Sequence, residues 1–344
     1  MARSYSYRVD AYKNGGRLCT LACMGAPSIS CNASAPIKTS MSLTCKPEPR
    51  FDPLKDEVRA FQIIDGVEAP AGVFIVGAWT ELLSGGSRSL QLECYDRAHL
   101  LQLNRLETVL HLDAGVKYLE AVKQLLTAAG ISLYIETPSD LALATAREDW
   151  DIGTDLLTII NDLLAEINYT DLWFDPSGTA MLTPKQIPSV DLIRHRINGL
   201  IPGSAQLRPD MSRSTDVFDA PNVFRVVCAN PDLPAPLVAT VENNSTLSPA
   251  SIINRGRRIL EVYNVDNVPD LDTLQSIAQQ IAFEHMSVTE SVEIMTANLP
   301  GVRPLDVVAL QSSELSGLYQ VTGYTMTLGI GESMRITLRR SVLV

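Results

Sequence analysis

The chain has 344 residues, of which 46% are hydrophobic, and a net charge of −11. That length supports about two to four domains with ample cores. The acidic balance makes a poor binder of nucleic acid, because phosphate neutralisation needs clustered Lys and Arg, but it suits a wall past which DNA slides without sticking.

The N-terminus, MARSYSYRVD, is polar with no apolar run behind it, so no signal peptide is expected and synthesis in a cytoplasm is. No stretch approaches the roughly 18 apolar residues of a membrane span. The cysteines are Cys19, Cys23, Cys31, Cys45, Cys94 and Cys228, with no C-x-x-C pair among them. Cys19, Leu21 and Cys23 alternate at period two, as core side chains of a strand do, so buried reduced thiols are expected.

Residues 1–104 read as all-β. Apolar runs at 18–23, 40–46, 58–64, 73–80 and 89–95 are separated by the turn clusters Asn14-Gly15-Gly16, Asp65-Gly66, Pro70-Ala71-Gly72 and Ser84-Gly85-Gly86. Such spacing predicts an antiparallel barrel or sandwich, and Asp65-Gly66 predicts a tight hairpin. Residues 105–200 change character. Val116, Leu119, Val122, Leu125 and Leu126 fall at helical spacing, with Gly130 as the stop. A strand is expected at 131–136. A second helix is expected over 154–167 with Thr154 as N-cap. A hairpin follows through Asp175-Pro176-Ser177-Gly178, making this segment an α+β insert.

Residues 201–231 are looser, with prolines at 202, 209, 221 and 231. Strands are predicted at 223–229 and 237–242. A third helix is predicted over 270–286, capped by Asp270 or Asp272, and residues 288–344 return to β.

No stretch carries a catalytic, cofactor or metal signature. His99, His111, His195 and His285 are scattered, and HExxH, G-x-S-x-G and P-loop motifs are absent. Gly329-x-Gly331 is a hairpin turn rather than a dinucleotide loop. Glu148, Asp149 and Asp151 lead into a helix, and Arg255, Arg257 and Arg258 read as a solvated knot. The expectation is therefore no catalytic, cofactor-binding or metal residues, no cofactor and no enzyme activity.

The positive signal is an internal repeat. AGVFIVGAWTELLSGG (71–86) aligns without gaps to SGLYQVTGYTMTLGIG (316–331), placing Gly72 on Gly317, Val76 on Val321, Thr80 on Thr325, Leu83 on Leu328 and Gly86 on Gly331. Phe74 meets Tyr319 and Trp79 meets Tyr324. After the turn, Leu90-Leu92-Cys94 corresponds to Met334-Ile336-Leu338 with a one-residue slip, and Asp56-x-Val58 corresponds to Asp306-x-Val308.

In this order of elements the chain resembles the baseplate hub proteins of tailed bacteriophages. The resembling stretches are residues 71–102, 116–131 and 316–340, with Cys94-Tyr95-Asp96-Arg97 before a leucine-rich exit and Pro304-Leu305-Asp306-Val307-Val308 before the strand at 317–321. The resemblance implies an α+β, β-rich fold with two similar antiparallel, tube-like β-barrel domains and inserted α+β domains. The expected division is 1–104, first barrel; 105–200, insert; 201–250, start of the second barrel; 251–290, helix-containing insert; and 291–344, completion of the second barrel.

The resemblance further implies a homotrimer in which two barrels per chain give six quasi-equivalent ring positions. Such a ring joins the tail tube to a central spike or tail-tip protein in the virion, beside tape-measure and other baseplate proteins. DNA passes without specific binding, and there is no membrane insertion. The alternatives are a tail-associated receptor- or carbohydrate-binding module and a tail-tip peptidoglycan hydrolase, for which residues 148–151 are the only acidic candidates.

Overall fold

The structure is a computed structural model and describes residues 4–200, 207–215, 220–229, 235–246, 248–266, 268, 270–288 and 290–340. The first module is built from β1 (Tyr5–Lys13), β2 (Gly16–Thr20), β3 (Ser28–Asn32), β4 (Thr39–Cys45), β5 (Glu57–Ile64), β6 (Val67–Ser84) and β7 (Ser87–Tyr95). Its turns follow from local chemistry. Asp65 and Gly66 take φ of 52° and 80°, the double positive-φ geometry of a two-residue hairpin, so Ile64 faces Val67 across β5 and β6.

Next come α1 (Ala98–Leu103), α2 (Tyr118–Ala128), β8 (Tyr134–Glu136), α3 (Leu156–Glu166), β9 (Trp173–Phe174) and β10 (Ala180–Leu182). The helices bury one face each in a second core with Trp150, Tyr169 and Phe174. The cap of α3 is Asp155, whose carboxylate accepts the Thr158 N–H, rather than Thr154. A carboxylate at this position complements the helix dipole as well as the orphan amide. The strand expected at 131–136 shortens to β8, because Gly130 at φ 78° ends α2 and Ile131 goes to the core.

The chain then adds β11 (Ile193–Asn198) and β12 (Leu207–Thr215), followed by β13 (Val223–Cys228), β14 (Leu237–Glu242), α4 (Ile252–Arg255), β15 (Leu260–Val265) and α5 (Leu271–Val288). The prolines at 202 and 231 lie outside the described residues. The stretch read as loose does contain a strand: β12 pairs with a register shift between Leu207 and Met211, the interval that holds Pro209, as a residue without an amide N–H requires. The 201–250 segment divides. β12 joins the large sheet, whereas β13 pairs with β14 on one side and β15 on the other in a separate three-stranded sheet packed on α5. Asp270 caps α5 through the Thr273 N–H at 2.7 Å.

The final strands are β16 (Glu290–Ala297), β17 (Val307–Gln311), β18 (Ser316–Thr327) and β19 (Ser333–Arg340). They complete a thirteen-stranded sheet whose main path runs β12-β16-β19-β18-β3-β4-β7-β6-β5-β1-β2, with β17 on β18 and β11 on β17. One core extends through both modules, from Val9 to Leu338. The β-rich fold with large antiparallel sheets expected from the sequence is therefore present. In place of two barrels the strands form two halves of one open sheet, and among the described residues no strand pairing closes either half.

Candidate functional site

The two halves repeat each other in register as well as in sequence. In the first, Val58 faces Phe74, Val76 faces Cys94 and Trp79 faces Leu92. In the second, Val308 faces Tyr319, Val321 faces Leu338 and Tyr324 faces Ile336. Each hairpin carries a bulge at the aligned position, after Val76 and after Val321. An aromatic ring lies beside both Gly72 and Gly317, but it excludes a side chain only at 72, while Gly317 is favoured by its φ of 149°. A Cβ at 72 would sit 2.3 Å from the Phe74 ring, and one at 317 would sit 3.6 Å from that of Tyr319. Asp56 accepts the Asp52 N–H and Asp306 accepts the Arg303 N–H, bracing the start of β5 and of β17 alike. By pairing, β3, β4, β5, β6 and β7 correspond to β12, β16, β17, β18 and β19. One departure is that β11 lies parallel to β17 whereas β1 is antiparallel to β5.

Among the described residues, strand pairing joins the halves at one place. The first part of β18 pairs with β17. Along the same edge, the second part pairs with β3: Gly323 faces Asn32, Thr325 faces Ser30 and Thr327 faces Ser28. Leu328 continues the ladder by donating its N–H to the Pro27 carbonyl at 2.8 Å. Tyr324, Met326 and Leu328 are buried there. The Gln62 amide reaches the Met326 sulfur at 3.1 Å, and Asn298 Nδ2 donates to the Tyr5 hydroxyl and the Thr327 carbonyl. Burial raises the Tyr324 hydroxyl well above its ordinary pKa and pushes the Cys31 thiol beside it up to about 12.

The residues weighed for chemistry are dispersed and occupied by structural contacts. His111 bridges Glu148 at 2.7 Å and Asp113 at 3.1 Å on the exposed surface, and the hydrogen bond with Glu148 raises its pKa. Asp149 pairs with Arg147, whose Nη1 also holds Glu166 at 2.5 Å. Arg258 pairs with Glu242, Arg255 donates to the Ala220 carbonyl, and the Arg257 carbonyl accepts from Asn222. His195 meets Asp306 at 3.1 Å, His285 meets Tyr263 at 3.0 Å, and His99 lies against the Tyr95 ring. Among the described residues no group of His, Cys, Asp or Glu is placed to hold a metal, and no helix is long and apolar enough to cross a membrane. All six cysteines are free. Sequence reasoning did not reach the joint residues Gln62, Asn298 and Gly323. The signal for Gly323 was its alignment with the small Ala78 inside the repeat.

No protein-family model matches the chain, and no curated protein matches its sequence. Solved structures do share its fold. The tail protein of Neisseria meningitidis superposes with a TM-score of 0.70 at 16% identity, covering 97% of each chain. The 43 kDa tail protein of prophage MuSo2 from Shewanella oneidensis gives 0.67 at 11% identity over 98% of this chain and 99% of that one. Prophage tail protein gp18 from Listeria monocytogenes gives 0.61 at 12% identity, over 96% and 94%. The chain has the fold of phage tail proteins, from end to end and inserts included, and at this level the resemblance read from the sequence holds.

Proposed function

We propose that the protein is the structural hub of a phage tail or phage-tail-like particle. In this reading three copies form a ring of six barrel-like modules, quasi-sixfold toward the tail tube and threefold toward a central spike or tail-tip protein. The ring sits in the tail baseplate or tip of the virion, in contact with tape-measure and other baseplate proteins. DNA or other cargo passes through its lumen unbound, as the net charge of −11 favours. The hub performs no catalysis.

One observation carries this reading: two hairpins with the same pairing and the same bulge stand in one chain whose fold is that of phage tail proteins. Duplication gives each ring position nearly the same contact surface, which a symmetry adaptor requires. The test is the solution mass by light scattering, with negative-stain images of the same peak. A particle of three 37.5 kDa chains with a central hole supports the hub. A single-chain mass at every concentration refutes it.

A further inference from the structure

The joint inside the chain has a counterpart that the chain leaves open. In β18 the edge beyond β17 is taken by β3. In β6 the corresponding edge, beyond the last β5 partner Ile75, pairs with no strand among the described residues. The aligned side chains differ in burial accordingly. Tyr324 is 6% exposed and its counterpart Trp79 44%, while Leu328 is fully buried and its counterpart Leu83 is 70% exposed. A long edge carrying Trp79, Leu82 and Leu83 in water is an association surface or an aggregation hazard.

The strand that would fit it is on the opposite end of the sheet. β12 corresponds to β3, since β3 pairs with β4 as β12 pairs with β16, and the outer edge of β12 is the free end of the sheet path. Beside it lies a groove of about 800 Å³ lined by Leu207, Met211, Arg213, Ser312 and Leu315. Ser312 there corresponds to Gln62, the residue that touches Met326 in the internal joint.

Resting on the hub reading above, we infer that chains join head to tail by pairing β6 of one copy with β12 of the next, repeating between copies the β18–β3 joint found within each. The occupant is thus a second copy of this chain. The register follows from the internal joint. Thr80 faces Ser214, Glu81 faces Arg213 and Leu82 faces Ser212 of the neighbouring copy. Leu83 donates its N–H to the neighbouring Met211 carbonyl, as Leu328 does to Pro27. Where the internal joint packs Met326 against Ile29, the joint between copies sets Glu81 against Arg213, an opposite-charge cross-strand pair. Glu81 meets Arg88 of its own hairpin in the single chain, so the neighbouring arginine adds a second cation to a carboxylate already held in place. The two hairpins differ at their tips. β6 and β7 run straight to Ser84 and Ser87, whereas the second hairpin stops pairing at Met326 and Met334.

The full chain with Thr80→Cys and Ser214→Cys, and separately with Glu81→Cys and Arg213→Cys, is oxidised mildly and resolved without reductant. Opposed residues alternate between hydrogen-bonded and non-hydrogen-bonded sites, so the two pairs sample both geometries. A covalent ladder ending at three chains is expected from at least one pair, with at least fivefold less product from the off-register Thr80→Cys, Ser212→Cys control. Leu83→Asp should convert the assembly to single chains, and at a dilution where the unmodified protein is also single chains the two should share one unfolding midpoint, because Leu83 touches water in the single chain. A threefold assembly with no in-register cross-link, or one that survives Leu83→Asp, overturns the strand pairing and leaves the ring. Single chains at every concentration for the unmodified protein overturn both.

Discussion

Asp96 sits where the first module hands over to the helical insert, and its burial makes a measurable prediction. The residue is 3% exposed and its carboxylate accepts the Thr39 N–H at 2.8 Å and the Ala98 N–H at 2.9 Å. Desolvation outweighs these hydrogen bonds and raises its pKa from 3.8 to about 6. A raised carboxyl pKa means the folded state holds the proton more tightly than the unfolded state. The contribution is fully present below pH 3.8 and is lost as pH rises through 6. A shift of about 2 units at 1.36 kcal/mol each gives about 3 kcal/mol, an order-of-magnitude figure. Asp96→Asn cannot titrate, and its amide meets one backbone N–H with the wrong polarity, a fixed cost of roughly 1–3 kcal/mol. The assay is urea unfolding of both proteins from pH 4 to 7, read as the difference between them so that every other titrating group cancels. The wild type should lose about 3 kcal/mol relative to the variant across that window. A difference that stays flat would refute the argument that burial controls this carboxyl.

Four further outcomes follow from packing and chemistry. Gly323→Ala places a Cβ 2.9 Å from the Cys31 carbonyl oxygen, a backbone atom that cannot swing away, so it should destabilise the joint by roughly 1–3 kcal/mol and raise hydrogen exchange along β3. Glu166→Gln removes one of the two carboxylates held by the part-buried Arg147, leaving Asp149, and should cost about 1–3 kcal/mol in the insert, seen as an earlier unfolding transition reported by Trp150. Phe74→Ala and Tyr319→Ala remove equivalent, fully enclosed rings and should each cost about 3–5 kcal/mol in denaturant unfolding. The thiols of Cys31 and Cys94, both pushed up to about 12 by burial, should resist a thiol reagent at pH 7 until the protein is unfolded.

What the sequence made legible were the features held locally. Asp65-Gly66 announces its turn because only residues at ease with positive φ can make it. The faces of α2, α3 and α5 show because burial selects side chains every three or four residues. The repeat was visible because equivalent positions face equivalent neighbours, Phe74 over Gly72 and Tyr319 over Gly317. Pairing between distant strands was not legible. Nothing local to Ser28–Asn32 says that it meets Gly323–Thr327, and nothing in Val223–Cys228 says that it leaves the large sheet for β14 and β15. The joint residues went unnamed for the same reason: Gln62 and Asn298 act across sequence separations of 264 and 293 residues.

The inserts show how one module design accommodates two different surroundings. In the first module β3 and β4 are joined by the short turn 33–38, while in the second the equivalent strands β12 and β16 are separated by the whole β13–α5 unit. The helical insert leaves from the end of β7, and the corresponding end of β19 lies close to the end of the chain. Both insertions enter at loops, where added length costs little closure entropy, and neither interrupts β18 or β3. The segments that do the joining are therefore kept free of insertion in both copies. That is the pattern expected if the constraint on this chain is to present the same edge twice around a ring, with the inserts free to differ between positions.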